Sequence, residues 1–571
     1  RIHEAPDAER MEKLSNTLKA CGLNVHFAGE VPTQLELSAI LDETRGQPIQ
    51  IPVHTGILRS MQKARYSPEP KGHYGLVLAD YAHFTSPIRR YPDLAIHRIL
   101  TDMLVGKPEQ ELIKDYTGFA THASEQSSRQ EVSAVRIERD VEDLYKAEYM
   151  HNHLGEVYTG TILEHLLIEQ LAAFYEVGEH NICRLRGADW NDALDMAAER
   201  GESVAFTCAY AGNLRELAGM IRLLEKTTGS KTTQVLEELL VLCGDQTETF
   251  DDARAKQTIL TQYAARCAHQ ISGKRVEVCL SDLADSLEQK ADWLTGWLRK
   301  HEWICAGTAE GWYNSYYDNH GRAVEGIFPE GVRMMLTGQV FAIMGGVATD
   351  QQIRRITASA DHYLYRREIG GYRLNTDFHE QKFDLGRMFG FAYGEKENGA
   401  VFSHMAVMYA NALYRRGFVQ EGWKALKTLA DTALDFDTSR IYPGIPEYFR
   451  ADGRGMYHYL TGAASWYMMT MITQVFGVRG EAGDLLLQPK LTAAQFDAEG
   501  SASVHVTFAG RRLEIRCQNP GRLEYGQYRV QKVLCGDAEL CAGSCDSVII
   551  PRRVIEALPA EQKQVFTVYL G

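Results

Sequence analysis

The sequence lacks several features that would assign it at once to a class of protein. No apolar run reaches the roughly 18 residues that cross a membrane, and no N-terminal segment reads as a secretory signal peptide. Its eleven cysteines include no Cys-x-x-Cys pair, and only Cys541 and Cys545 lie as close as four residues apart. A scattered, odd number of thiols is typical of a reducing compartment, so the sequence predicts a cytoplasmic protein without a metal site.

Basic charge is also in short supply. The 571 residues carry 61 Lys and Arg against 75 Asp and Glu, which gives a net charge of −14. Because RNA backbones and anionic membranes attract basic surfaces, this balance argues against broad binding to either. The hydrophobic content of 45% is that of an ordinary globular protein, and the length predicts several domains.

Residue patterns divide the chain into three zones. Residues 1–161 mix helical and turn-rich segments, residues 162–487 are mainly helical with long aromatic loops, and residues 488–571 alternate apolar and polar residues as β-strands do. No flexible spacer marks the change near residue 161. The predicted fold is multidomain and mainly α: an α+β zone, a helical barrel with its site on loops, and a C-terminal β-sandwich.

Periodicity predicts particular elements within these zones. Apolar residues recur at three- and four-residue steps in the helical segments and alternate with polar residues in the strands. The predicted helices are 163–175, 203–226, 250–272, 281–300, 401–415 and 420–434, and the predicted strands, in a small antiparallel domain, are 503–508 and 512–517.

The most informative segment is Asp189-Trp190-Asn191-Asp192, in which two carboxylates flank an indole. An indole can pack on the apolar face of a sugar ring, and its low polarity raises the pKa of a neighbouring carboxyl toward the range that a general acid needs. Asp-x-x-Asp is equally typical of a helix start, where carboxylates cap the helix and offset its dipole. The motif alone leaves both interpretations open.

Three strings in the first zone are long and specific. They are Arg1-Ile-His-Glu-Ala-Pro-Asp, Pro70-Lys-Gly-His-Tyr-Gly and His83-Phe-Thr-Ser-Pro-Ile-Arg-Arg-Tyr-Pro-Asp93. They resemble the C-terminal part of the RNB domain, the catalytic domain of the ribonuclease R and ribonuclease II exoribonucleases, and residues 155–162 look like the start of the S1 domain that follows it. The resemblance implies that Arg89 contacts the scissile phosphate of RNA, where a guanidinium neutralises developing charge.

The same resemblance argues against nuclease activity. In this family the aspartates that hold Mg²⁺ lie in an earlier half of the domain, which residues 1–162 do not match. Two-metal phosphodiester hydrolysis requires those carboxylates, so RNA is not the expected substrate and Mg²⁺ is relevant only to this alternative.

A second set of strings runs in one order through the rest of the chain. It includes Gly187-Ala-Asp-Trp-Asn-Asp192, Gly201-Glu-Ser, Gly311-Trp-Tyr, Glu395-Lys-Glu-Asn-Gly-Ala-Val-Phe-Ser-His404 and Tyr459-Leu-Thr-Gly-Ala-Ala-Ser-Trp466. Together these strings resemble glycoside phosphorylases of family 94, such as the cellobiose, chitobiose and 1,2-β-oligoglucan phosphorylases, and look most like the last. The resemblance implies a partial (α/α)6 barrel over 162–487 and a β-sandwich over 488–571, often in a homodimer.

The resemblance also implies the chemistry. Asp192 would protonate the glycosidic oxygen while inorganic phosphate attacks the anomeric carbon from the opposite face and inverts it, giving α-glucose 1-phosphate. Phosphate is already an anion, so no second carboxylate is needed to activate water, and no cofactor is expected. The other implied roles are Trp190 in the −1 sugar subsite, Lys396 and Glu397 in the +1 subsite, and His404, Thr461 and Gly462 at the phosphate.

Part of the family's site has no counterpart here. In family members an earlier part of the barrel supplies an Arg to the phosphate and an Asp to the −1 sugar, and residues 1–162 contain no matching motif. Two unrelated fragments therefore meet near residues 161–163, through a gene fusion, an assembly error or an engineered chimera. Three functions remain open: phosphorolysis of a β-glucoside, sugar binding without turnover, and 3′–5′ RNA degradation.

Some aromatic and acidic residues have two interpretations. Trp312, Tyr313 and Tyr316 either line the sugar cleft or pack in the core. Asp189 is expected to stabilise its loop rather than to take part in the reaction.

Overall fold

The computed structural model describes the chain except residues 22, 24, 26, 28, 30, 31, 46, 48, 88, 89, 152–160, 245, 269, 270, 442, 443 and 458–461. The chain forms two compact units, Arg1–Tyr158 and Thr159–Gly571, and about 46% of it is helical. Among the described residues, none of the helices combines the length and apolar character of a membrane span.

The first unit is mostly helical. Asp7 caps its first helix, and a capping box of Thr33 and Glu36 starts the second, because each side chain bonds the other's backbone N–H. A small core that includes Leu14, Leu37 and Val53 joins the first three helices. The helices are α1 (Ala8–Ala20), α2 (Gln34–Glu43), α3 (Gln50–Ser60), α4 (Tyr91–Leu104) and α5 (Glu109–His151).

The second unit contains the remaining described elements. Its helices are α6 (Thr161–Tyr175), α7 (Val204–Thr228), α8 (Leu240–Cys243), α9 (Ala253–Cys267), α10 (Leu280–His301), α11 (Leu336–Met344), α12 (Asp350–Tyr363), α13 (Ser403–Arg415), α14 (Val419–Leu434), α15 (Phe436–Ser439), α16 (Gly462–Thr470) and α17 (Arg552–Glu556). A π-helical turn, Met471–Val475, continues α16.

The strands up to the C-terminal sheets are short and mostly lie in the loops between helices. They are β1 (Glu202–Ser203), β2 (Thr232–Leu236), β3 (Arg275–Cys279), β4 (Trp303–Ala306), β5 (Glu310–Tyr313), β6 (Tyr316–Tyr317), β7 (Gly326–Phe328), β8 (Gly331–Arg333), β9 (Tyr365–Arg366), β10 (Gly371–Tyr372), β11 (Val401–Phe402), β12 (Tyr448–Phe449) and β13 (Gly455–Met456). The pairing of β1 with β6 sets Ser203 opposite Tyr316.

Helix α13 occupies the centre of the second unit. All its residues are buried except His404, which is partly buried, and Arg415 at its last position. A helix that is buried on every side must be surrounded by other elements, and α13 packs against α11, α14 and α16. Helix α7 packs against α10 and α11, and Gly229 ends α7 in the left-handed conformation that glycine adopts without strain.

The C-terminal residues form two sheets. The strands are β14 (Val478–Glu481), β15 (Asp484–Leu487), β16 (Ser501–Phe508), β17 (Arg511–Gln518), β18 (Val530–Cys535), β19 (Ala538–Cys545), β20 (Val548–Ile550) and β21 (Gln564–Leu570). The larger sheet has the order β16-β17-β21-β18-β19. The other pairings of this sheet are antiparallel, but β21 runs parallel to β17, so the prediction of an antiparallel domain is wrong for this one pair. The connection through α17 carries the chain back before β21 begins, which permits parallel pairing.

The periodic segments match observed elements with shifted ends. Helices α6, α7, α10, α13 and α14 and strands β16 and β17 follow their predicted segments within about two residues. The predicted helix 250–272 is too long, because α9 starts at Ala253, after the Asp252 cap, and ends at Cys267. Residues 401–402 are strand β11 rather than the start of α13, because they pair with β12.

Candidate functional site

Three donors hold Asp189 at the start of the Asp-Trp-Asn-Asp loop. Its carboxylate accepts hydrogen bonds from the Ser203 hydroxyl (2.8 Å), the Tyr316 hydroxyl (3.2 Å) and the Asn191 backbone N–H (3.0 Å). Ser203 and Tyr316 are brought together by the β1–β6 pairing. Burial raises the pKa of Asp189 to about 6 despite these bonds. Asp189 therefore ties the loop to the core and points away from open space.

Asp192 has the opposite surroundings. Its side chain is 83% exposed, and the Arg387 guanidinium lies 3.5 Å from its carboxylate. Arg387 also binds Asp195 through both its side chain and its backbone N–H. Gly386 lets the segment that carries Arg387 pack closely against the loop of Asp192. A Cβ at this position would collide with the Ala193 carbonyl oxygen, so only glycine permits the approach. The carboxylate that is free to meet a ligand is Asp192.

Trp190, His404 and Gly462 lie together. The Trp190 ring is 5.5 Å from the His404 ring and 5.5 Å from Phe402, measured between ring centroids. A Cβ on Gly462 would lie 3.4 Å from the His404 ring, so glycine leaves room beside the imidazole. The Trp466 ring also lies near His404, at 5.8 Å between ring centroids. Residues that are separated by more than 200 positions thus surround one imidazole.

A tight turn carries Lys396 and Glu397. Glu395 and Asn398 form a β-bridge across it, and Lys396 takes a positive φ of 47°. The Asn398 side chain anchors the turn by donating to the Phe391 carbonyl at 2.8 Å and accepting from Asn375 at 3.2 Å. The Lys396 ammonium lies 4.9 Å from the Phe391 ring centroid.

His404 Nε2 and Glu397 Oε2 are buried without a hydrogen-bond partner among the described residues, as is the hydroxyl of the adjacent Ser403. Burial lowers the pKa of His404, which favours the neutral imidazole. Burial raises the pKa of Glu397; Lys396 opposes this shift, whereas Asp192 and Glu447 add to it. Because buried polar atoms are normally paired, the His404 and Glu397 atoms are suited to a polar ligand.

The large aromatic residues of the 311–317 segment belong to the core. Trp312, Tyr313 and Tyr316 are fully buried, so the interpretation that they line an open cleft is wrong. Tyr316 still acts on the site indirectly, through its bond to Asp189. Sequence reasoning also missed Arg387, which is not part of any string that pointed to the site.

Two predicted site residues, Thr461 and Arg89, lie outside the described residues. The neighbour of Arg89 is described: the Arg90 guanidinium donates to the fully buried Asp93 carboxylate at 2.7 Å, which also accepts from the Ser86 backbone N–H at 2.8 Å. In the part of the chain that the structure describes, no group of three or more His, Cys, Asp and Glu side chains could hold a metal ion.

Comparison with protein families gives two matches. Residues 1–106 match the RNB domain, and residues 138–241 and 276–477 match the catalytic domain of the glycosyl hydrolase 94 superfamily. The second match covers more than half of the chain. Residues 242–275, which include α9, lie between its two segments. Both predicted resemblances are confirmed.

Similar curated proteins are ribonucleases R, matched over the N-terminal part of the chain. Ribonuclease R 1 of Lactococcus lactis is 36% identical over 212 residues, which are 36% of this chain and 26% of that protein. Ribonuclease R of Aquifex aeolicus is 39% identical over 163 residues, 28% of this chain and 23% of the relative. Ribonuclease R of Escherichia coli is 35% identical over 169 residues, 28% and 21% respectively. The chain spans about a quarter of the length of these relatives.

Proposed function

Because the chain belongs to the glycosyl hydrolase 94 superfamily, joined to an RNB domain, we propose that its second unit is an inverting glycoside phosphorylase. The reaction is the reversible phosphorolysis of a β-glucoside or β-oligoglucan to α-glucose 1-phosphate and a shortened acceptor. The observation that carries this proposal is the meeting of Trp190, His404 and Gly462, with Asp192 in the same loop as Trp190.

Asp192 is the proposed general acid. A phosphate oxygen forms a bond to the anomeric carbon while the bond from that carbon to the glycosidic oxygen breaks, and the Asp192 proton passes to the leaving oxygen. The exposure of Asp192 supports this role, because a general acid must reach its substrate. Arg387 touches Asp192 and Asp195, which supports a role in holding the acid in position.

His404, Thr461 and Gly462 are the proposed phosphate contacts. The buried Nε2 of His404, which has no partner among the residues that the structure describes, supports this assignment, since a phosphate oxygen would give it one. The space beside Gly462 supports it too, because glycine lets an anion approach the imidazole and the backbone. Inorganic phosphate is then the co-substrate, and no cofactor takes part.

Trp190, Lys396 and Glu397 are the proposed sugar contacts. The Trp190 indole is partly buried against Phe402 and would form the floor of the −1 subsite. The Oε2 of Glu397 is buried and has no partner within the described part of the chain, which supports a hydrogen bond from a hydroxyl of the +1 sugar. Lys396 lies beside Glu397, and the two side chains together could hydrogen-bond the hydroxyl groups of the +1 sugar.

We also propose a barrel and a β-sandwich as the architecture of the second unit. The packing of α7, α10, α11, α13, α14 and α16 supports part of an (α/α)6 barrel, and the C-terminal sheets support a β-sandwich. Domain limits of 1–161, 162–487 and 488–571, a cytoplasmic location and a homodimer complete this expectation.

The test is phosphate release from α-glucose 1-phosphate with glucose, cellobiose or sophorose as acceptor. We expect release with at least one acceptor, and a loss of about 10²- to 10⁴-fold in Asp192→Asn, the usual contribution of a general acid. Asp537→Asn, in the exposed turn between β18 and β19, removes the same charge far from the cleft and should change nothing. Full activity in Asp192→Asn would refute the acid assignment.

Sugar binding without turnover is the second candidate for this unit, favoured by the absence of a motif for the family's phosphate Arg. Titration calorimetry with sophorose and with inorganic phosphate, each alone, distinguishes the two. Binding of the sugar alone, with no phosphate release in the first assay, would support the second candidate.

The RNB match favours a separate candidate for the first unit: degradation of RNA from its 3′ end. Its test is Mg²⁺-dependent release of nucleotides from single-stranded RNA. We expect none, because the described residues contain no cluster of three or more His, Cys, Asp and Glu side chains that could hold the metal.

A further inference from the structure

A polar cavity of about 580 Å³ lies at the end of α13 opposite to His404. It forms where the last turn of α13, the π-helical turn after α16, and the segment from β14 to residue 490 meet. Four cationic side chains line it: Arg415, Arg416, Arg479 and Lys490. No carboxylate is among the described residues that line it.

Two of these cations bind only partially charged oxygens in the contacts that the structure gives them. Lys490 is 95% buried, and its ammonium donates to the Tyr414 carbonyl at 2.7 Å. Arg479 donates to the Gln488 side chain at 2.9 Å and to the Thr473 carbonyl at 3.3 Å. Carbonyls at a helix end carry a fraction of a charge and offset a full positive charge only in part.

The other two cations have carboxylate partners that do not line the cavity. Arg415 pairs with Glu216 at 2.7 Å and Arg416 with Asp350 at 3.0 Å. Two carboxylates thus oppose four cations. Burial lowers the pKa of Lys490 to about 8, and the nearby positive charges of Arg479 and Arg415 add to this shift. The cavity keeps a positive potential that an anion would neutralise.

The remaining lining suits a sugar. The Trp466 indole forms one wall, and the amide side chains of Asn411, Gln474 and Gln488 face the same space. An aromatic face with several amides is a common setting for a sugar ring and its hydroxyls. We propose that this cavity is a second ligand site, which binds the phosphate monoester of a monosaccharide, with the phosphate on Arg479 and Lys490 and the sugar against Trp466.

This site is separate from the proposed catalytic one. His404 is the second residue of α13 and Arg415 the last, so at 1.5 Å per residue they are about 16 Å apart along the helix. Trp466 lies between the two, since it lines the cavity and its ring is 5.8 Å from that of His404. The inference does not depend on the proposed function, because the cations and the cavity alone carry it.

The test is titration calorimetry of the full chain carrying His404→Ala, which removes the proposed phosphate contact of the first site. The probes are α-glucose 1-phosphate, inorganic phosphate and glucose. We expect α-glucose 1-phosphate to bind, and to bind at least about tenfold more weakly when Arg479→Gln is added, the usual effect of losing one charge-assisted hydrogen bond. Arg512→Gln, an exposed arginine on β17, is the matched control and should leave binding unchanged.

A second arginine variant distinguishes a loss of the binding site from misfolding caused by Arg479→Gln. Arg415→Gln removes a cation whose side chain is 40% exposed, and should also weaken binding. Binding that is lost with His404→Ala alone, or that neither arginine variant weakens, would overturn the proposal. Equal affinity for inorganic phosphate would overturn its sugar part. Arginine-dependent binding in a chain that catalyses no phosphorolysis would support this site while refuting the proposed function.

Discussion

Two carboxylates three residues apart are candidates for the general acid, and the pKa favours one while exposure favours the other. Asp189 has a pKa of about 6, raised by burial, as a general acid at neutral pH needs. Asp192 is the one that a substrate can reach, with its side chain 83% exposed. Because a proton must be transferred over hydrogen-bond distance, we expect access to decide in favour of Asp192. The substitution that tests this is Asp189→Asn.

The structure sets the size of the effect on stability. Folding raises the pKa of Asp189 from 3.8 to about 6, so the folded state holds this proton more tightly. The resulting stabilisation is fully present below pH 3.8 and is lost as the pH rises through about 6. This difference in pKa corresponds to about 3 kcal/mol, which is an upper limit because part of the Asp189 side chain is exposed. Asparagine does not ionise and can keep the bonds from Tyr316 and the Asn191 backbone.

We therefore expect Asp189→Asn to melt at a temperature close to the parent's at pH 4 and above it at pH 8. Its kcat for phosphate release should stay within about tenfold of the parent's, whereas Asp192→Asn should lose about 10²- to 10⁴-fold. The measurements are thermal melts across this pH range and initial rates. A loss in Asp189→Asn as large as in Asp192→Asn, with the protein folded, would refute the reasoning and make Asp189 the acid.

Two further predictions concern a buried amine and the phosphate contact. Burial lowers the pKa of Lys256 to about 6, so between pH 6 and 10.5 the unfolded chain holds a proton that the folded chain does not, and stability rises with pH. Lys256→Met should melt higher than the parent at pH 7 and flatten this rise. A lower melting temperature would mean that the contacts of the amine, its hydrogen bond to the Asn181 side chain at 2.9 Å and the Trp293 ring 3.7 Å away, outweigh the cost of burying it. His404→Ala should raise the KM for phosphate about tenfold or more with a smaller change for the sugar, and equal changes would argue against a phosphate contact.

The sequence was sufficient for elements that are fixed by local pattern. Apolar residues at three- and four-residue steps predicted α7, α10 and α14, because a helix that packs on one face needs that spacing. Local pattern failed where a distant partner strand determines the structure. Residues 401–402 are a strand because they pair with β12, and β21 runs parallel to β17, the strand that it pairs with in the sheet. Such pairings join positions far apart in the chain, and no local pattern records them.

For the candidate site, the sequence by itself determined which residue types are present and, through the order of its strings, the two families to which the chain is related. Only the tertiary structure decided which of them face a ligand. It turned Asp189 inward onto Ser203 and Tyr316, left Asp192 exposed, and brought Arg387 to it across nearly 200 residues. The tertiary structure also places four cationic side chains around one cavity. Exposure, pKa and potential depend on what packs around a group, and that packing is a property of the folded chain as a whole.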